Sequence, residues 1–138
     1  MIFVDAGAWI ALMDRREIHH AAAVTVYRSI AEGRHGRMVT TDYVLDEAVT
    51  RLRLHSSVES VQALRQALTQ SESLQIVWST ADRFWEAWQR LEARPDKRWS
   101  LTDCLSFVTM ESLGIRAAFG FDADFVQAGF ELVPTRPE

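Results

Sequence analysis

Apolar and polar positions along the chain fall into two alternating patterns, short continuous apolar runs and longer stretches with an apolar residue at every third or fourth place. The first pattern predicts buried strands and the second amphipathic helices. Strands are expected at Ile2 to Val4, Arg37 to Thr40, Leu74 to Trp78 and Ala117 to Gly120, with Phe130 to Val133 as a last edge strand stopped by Pro134. Between them the spacing predicts helices from Ala6 to Met13, from about His19 to Glu32, from Thr41 or Asp42 onward, and from Val58 to Thr69. Two more follow, one after Ser79 and one from Ser100 to Gly114 that is apolar nearly all round and therefore buried. Strands alternating with helices through short connections imply a parallel sheet covered on both faces.

Local punctuation supports these boundaries. Gly33 stands where a helix C-cap uses glycine, and Ser100 with Asp103 three residues on has the form of a capping box. Ser79 with Asp82 resembles a weaker one. The stripe Phe84, Trp85 and Trp88 is most simply core, with a subunit or partner surface as the other reading.

Length and composition narrow the class. A chain of 138 residues with 48% hydrophobic and 25% charged residues is one domain over 1–138, neither disordered nor membrane-spanning. No targeting segment is legible. The lone Cys104 cannot form an internal disulfide, which fits a reducing, cytoplasmic compartment. A net charge of −4 argues at first against a nucleic-acid partner. The argument weakens if Asp5, Glu47, Asp103, Asp122 and Asp124 hold metal, because neutralising those five turns −4 into +1.

Those acids are the candidate chemistry. Asp5 ends the first strand, Asp122 follows the fourth, Glu47 lies one turn into the helix after the second, and Asp103 opens the buried helix. In a parallel sheet, strand ends and helix starts gather at one edge, so acids far apart in the chain can converge there. Converging carboxylates repel unless a cation joins them, and an all-oxygen set points to Mg²⁺ or Mn²⁺ rather than zinc. Each acid also has a plain structural reading. Asp5 can cap a helix, Asp103 can complete its capping box, Glu47 can pair with Arg51, and Asp122 and Asp124 can form turns.

Other chemistry is thin. The four histidines lack partners at metal-site spacing and read as surface residues, no glycine-rich phosphate loop is present, and Cys104 reads as core.

Four blocks, FVDAGAWIAL, TTDYVLDEAVT, SLTDCLSFVTM and FGFDADFVQAGF, together resemble PIN-domain ribonucleases, in particular the VapC-type toxins of type II toxin–antitoxin pairs. The resemblance implies a three-layer α/β/α sandwich with a mostly parallel sheet, and Mg²⁺- or Mn²⁺-dependent cleavage of RNA. It assigns metal-binding and catalytic roles to Asp5, Glu47, Asp103 and Asp122, with Asp124 accessory, and it implies a cognate antitoxin, a homodimer and no membrane association. Many relatives place a hydroxyl residue just after the first acid. Here Ala6, Gly7 and Ala8 stand instead, leaving Thr102 or Thr40 to supply one. Arg15 and Arg51 flank the acid-bearing segments and are candidate phosphate contacts. The alternatives are a PIN nuclease of RNA processing or decay and a non-catalytic PIN-fold interaction protein. A phosphotransfer receiver or haloacid-dehalogenase phosphatase fits less well, since Asp5 is alone at the strand end and the only lysine, Lys97, lies in a polar loop.

Overall fold

A computed structural model describes residues 1–135 of the protein. The strands are β1 (Ile2–Val4), β2 (Met38–Thr41), β3 (Leu74–Val77), β4 (Ala117–Phe119) and β5 (Glu131–Val133). They form one sheet in the order β3-β2-β1-β4-β5, and every neighbouring pair is parallel. The helices are α1 (Ala6–Met13), α2 (His20–Ala31), α3 (Asp42–His55), α4 (Val58–Gln70), α5 (Ala81–Ala93), α6 (Leu101–Leu113) and α7 (Asp124–Gln127).

The central strand is apolar on both sides, with Ile2, Phe3 and Val4 wholly buried, as a parallel sheet covered on both faces requires. Helices α1 to α4 pack among themselves and α5 packs on α6. Right-handed crossovers carry β1 to β2 to β3 on one side and β3 back to β4 on the other, which assigns the two helix groups to opposite faces. The result is a three-layer α/β/α sandwich. Its chain order reverses between β1 and β4, the place where open α/β sheets bind ligands.

Caps fix where the helices start. Thr41 accepts from the Val44 amide at 3.2 Å and begins α3. Asp42 accepts from the Ser79 amide at 2.9 Å and from its hydroxyl at 2.7 Å, tying the start of α3 to the end of β3. Ser79 is therefore not the cap of α5. Thr80 takes that position and accepts from the Arg83 amide at 3.2 Å, because Ser79 is already committed to Asp42. Gly33 lies one residue past the α2 cap with φ +88°, a left-handed conformation that glycine adopts without penalty.

The short helix α7 was not anticipated, because its four residues are too few to show a period. The aromatic stripe of α5 is not core: Trp85 is 58% and Trp88 43% exposed, and only Ala87 of that helix is buried. The three rings pack on one another instead, with Phe84 and Trp85 edge to face at 4.9 Å. No helix among the described residues is long and apolar enough to cross a membrane.

Candidate active site

The acids meet at the carboxyl edge of the sheet for reasons local to each segment. Asp5 directly ends β1, and its amide donates to the Phe119 carbonyl at 2.9 Å, which locks it to the neighbouring β4. It occupies the N-cap position of α1, yet its side chain makes no capping bond. Close approach of Gly120 completes the seat. A Cβ at Gly120 would lie 3.1 Å from the Asp5 Cβ, so glycine lets the chain pass beside the carboxylate.

Asp103 is the third residue of α6 and does complete the predicted capping box. Its amide donates to the Ser100 hydroxyl at 3.0 Å, and its Oδ2 accepts from the Ser100 amide at 3.1 Å. Asp122 follows β4 and accepts from the Asp124 amide at 2.9 Å in a tight turn. Glu47 faces Arg51 at 3.9 Å across one turn of α3. The structural roles and the convergence coexist, because each carboxylate has more than one oxygen lone pair to use.

A cleft of about 220 Å³ is lined by Asp5, Glu47, Asp103, Asp122, Arg51 and their neighbours. Asp103, Asp122 and Asp124 each offer a carboxylate oxygen within 4.8 Å of the others, and the first two of them line the cleft. Arg15 does not line the cleft; it sits exposed in the turn before α2. Thr40 does not supply a hydroxyl either. It is wholly buried, donates to the Val4 carbonyl at 2.9 Å and accepts from the Trp9 indole at 3.4 Å, so its polarity is used inside the sheet. Thr102 is absent from the lining, and its carbonyl accepts from the Ser106 hydroxyl. Burial pushes the Cys104 thiol up to about 11, which keeps it a neutral core residue.

Electrostatics mark the cleft as unbalanced. Asp5 is only 6% exposed, and burial raises its pKa from 3.8 to about 7 against the opposing Ala6 amide, with the Asp103, Glu47 and Asp122 charges adding to the rise. Asp103 is raised to about 6, first by burial and then, against its Ser100 bonds, by Asp122 and Asp124. Glu47 is raised by burial, with Arg51 pulling the other way. Such a cluster is stabilised by a positive charge. The donors are all carboxylate oxygens, and those of Asp103, Asp122 and Asp124 lie close enough together to share one hard divalent ion, so this trio fits Mg²⁺ or Mn²⁺, while Asp5 and Glu47 line the cleft without belonging to it.

Sequence reasoning missed two rings that line the cleft, His19 and Phe121, and it missed Gly120, which abuts Asp5. His19 is exposed, as a surface histidine should be, but it lines the cleft with its ring stacked on Phe121 at 4.2 Å and 4°. The sequence places these two residues about a hundred positions apart, and no periodicity links them.

Sheet order, all-parallel pairing and an acid cleft at the switch point together describe the architecture of a PIN domain, and a family profile for the PIN domain matches residues 2–131. The chain belongs to the PIN domain family, in its VapC branch of endoribonuclease toxins. It is 33% identical over 138 residues to the 23S rRNA-specific endonuclease VapC20 of Mycobacterium tuberculosis, covering 100% of both chains. It is 26% identical over 123 residues to a VapC ribonuclease of Archaeoglobus fulgidus, covering 88% of this chain and 77% of that one. The crystal structure of M. tuberculosis VapC20, described as a sarcin–ricin loop cleaving toxin, superposes with a TM-score of 0.87 at 30% identity, covering 99% of this chain and 100% of that one. FitAcB from Neisseria gonorrhoeae shares the fold at a TM-score of 0.63 and 14% identity, with 96% of each chain covered.

Proposed function

We propose that this chain is a Mg²⁺- or Mn²⁺-dependent endoribonuclease that acts in the cytoplasm on 23S ribosomal RNA as the toxin of a toxin–antitoxin pair. The observation that carries the reading is Asp5, a buried carboxylate with no basic partner among the described residues, facing acids from three other segments. Unpaired buried charge is costly, and a site retains it where a ligand neutralises it.

Asp5, Asp103, Glu47 and Asp122 would hold the cation, with Asp124 accessory. Once bound, such a cation supplies Lewis acidity toward a phosphodiester and makes the hydrolytic water more acidic. The protein side chains fix the scissile phosphate over the switch point, and Arg51, already at the rim beside Glu47, contacts a phosphate oxygen. In-line attack by water leaves a 5′-phosphate and a 3′-hydroxyl.

Two partners belong to the same reading. A cognate antitoxin covers the acid pocket, and a second copy of the chain forms a homodimer, for which the exposed Trp85 and Trp88 of α5 offer apolar surface. The deciding experiment incubates purified protein with 23S ribosomal RNA and Mg²⁺ or Mn²⁺, with an EDTA control, and maps the product ends. Cleavage that needs the cation and falls by about 100-fold or more in Asp5→Asn and Asp103→Asn supports the proposal. Full activity in either variant, or 2′,3′-cyclic phosphate ends, overturns it.

A further inference from the structure

His19 and Phe121 form a ring pair at the cleft with no role in the acid cluster. Their planes lie 4° apart with centroids at 4.2 Å, and they join the start of α2 to the segment between β4 and α7. The pair is anchored from below, because Phe121 packs against the wholly buried Phe119 at 6.5 Å in an edge-on contact. His19 stands at the N-cap of α2 yet makes no capping bond, so its ring serves the helix in no visible way. One of its faces is covered by Phe121, while the residue as a whole remains exposed.

We infer that the outer face of His19 is a stacking platform for one unpaired nucleobase of the RNA, next to the phosphate that is cut. At 4.2 Å the two rings leave no room for a third between them, so a base adds to the outer face of the stack. Phe121 immediately precedes Asp122, which sets the platform beside the acid cluster. The need for such a contact follows from charge. Among the described cleft-lining residues Arg51 is the one permanent cation, set against Asp5, Glu17, Glu47, Asp103 and Asp122. A polyanion therefore finds little attraction along the walls, and stacking supplies affinity that does not depend on charge. Proteins read unpaired RNA in this way, with bases splayed onto aromatic or histidine rings. This inference rests on the nuclease reading and assigns the residue that positions its substrate.

The test compares unmodified protein with His19→Ala, His19→Phe and His19→Leu by fluorescence anisotropy, with Ca²⁺ as the cation. The probes are a labelled hairpin carrying the sarcin–ricin loop and a labelled oligoadenylate. Loss of one base–aromatic stack weakens binding about 5- to 160-fold, which is the result expected for His19→Ala and His19→Leu. His19→Phe, which keeps a ring, stays close to the unmodified affinity, and all four melt at similar temperatures. An abasic scan of the hairpin loop should find one position where unmodified protein loses as much as His19→Ala does, and where His19→Ala loses nothing further.

Unchanged affinity in His19→Ala overturns the platform, as does a His19→Phe variant as weak as His19→Leu, or a scan in which the two losses simply add at every position. If His19→Ala does not fold, the comparison of Phe with Leu decides by the same criterion. An unmodified protein that neither binds nor cleaves either RNA overturns the nuclease reading and the platform with it. Cleavage of the hairpin with unchanged His19→Ala affinity overturns the platform alone.

Discussion

Replacing Asp5 by Asn should stabilise the metal-free protein at neutral and alkaline pH, although it removes the deepest residue of the site. Asp5 has a folded-state pKa of about 7 against an ordinary 3.8, with burial as the main cause and the surrounding acids adding to it. Between those two values the folded chain binds more protons than the unfolded one. The contribution of Asp5 to stability is therefore full below about pH 4, falls as pH rises through the window and is gone above about pH 7. A difference of about three pKa units corresponds to roughly 4 kcal/mol, an order-of-magnitude figure for a carboxylate this deeply buried. Asp103, raised to about 6, adds a loss of the same sign over a narrower range.

Asn keeps the shape beside Gly120 and removes the charge. Urea denaturation in EDTA at about pH 4.5, 6 and 8 should show unmodified protein losing several kcal/mol across the series and Asp5→Asn losing clearly less. At the alkaline end the variant should melt higher, by roughly 10 °C. Adding Mn²⁺ should raise the stability of the unmodified protein more at about pH 8 than at pH 5, since the cation binds the ionised acids. Parallel pH profiles for the two proteins, or a variant that is less stable at the alkaline end, would refute the reasoning.

Further expectations test individual residues. Gly120→Ala places a methyl 3.1 Å from the Asp5 Cβ, so it should cost about 1–3 kcal/mol by denaturation and reduce RNA cleavage by displacing the carboxylate. Thr40→Val breaks the bonds to Val4 and Trp9 and should lower stability by about 1–2 kcal/mol, while cleavage per folded molecule is unchanged. Asp103→Asn can still accept from the Ser100 amide, so it should fold normally yet lose about 10²–10³-fold in cleavage rate. Ser100→Ala should show the reverse, a stability loss of about 1 kcal/mol with most of the activity retained.

Much of this fold is legible in the sequence because its signals are local. The strands and long helices announce themselves by period and cap, and every long helix starts within a residue or two of its predicted place. The acids could be gathered at one edge from sequence because a parallel sheet leaves few other places for residues at strand ends and helix starts. What stayed hidden depends on three-dimensional contact. Gly120 matters because Asp5 lies beside it across two strands, and His19 because Phe121 arrives from the far end of the chain. The α5 stripe failed differently: its apolar spacing showed a face but not what covers it, and only Ala87 of that helix is buried although α5 packs on α6. Thr40 and Ser79 went astray because a hydroxyl has several partners within reach, and sequence does not rank them.

Asp103 and Asp122 show why setting a structural role against a functional one can mislead. Asp103 completes a capping box with one oxygen, and Asp122 closes a turn with Oδ1, yet both line the cleft and both belong to the acid trio with Asp124. These local bonds hold each carboxylate in a fixed orientation before any cation arrives, which reduces the ordering that binding would otherwise require. Asp5 makes no capping bond and is the acid most disfavoured in its charged form. The site thus divides its labour: acids at the rim are oriented by hydrogen bonds, and the acid at its floor is left in need of a positive charge. On the proposed reading, a fold arranged this way should lose stability when metal is withdrawn at neutral pH and recover it when metal returns, so that stability and cleavage should respond to the same ion, which melting in EDTA before and after Mn²⁺ is restored would check.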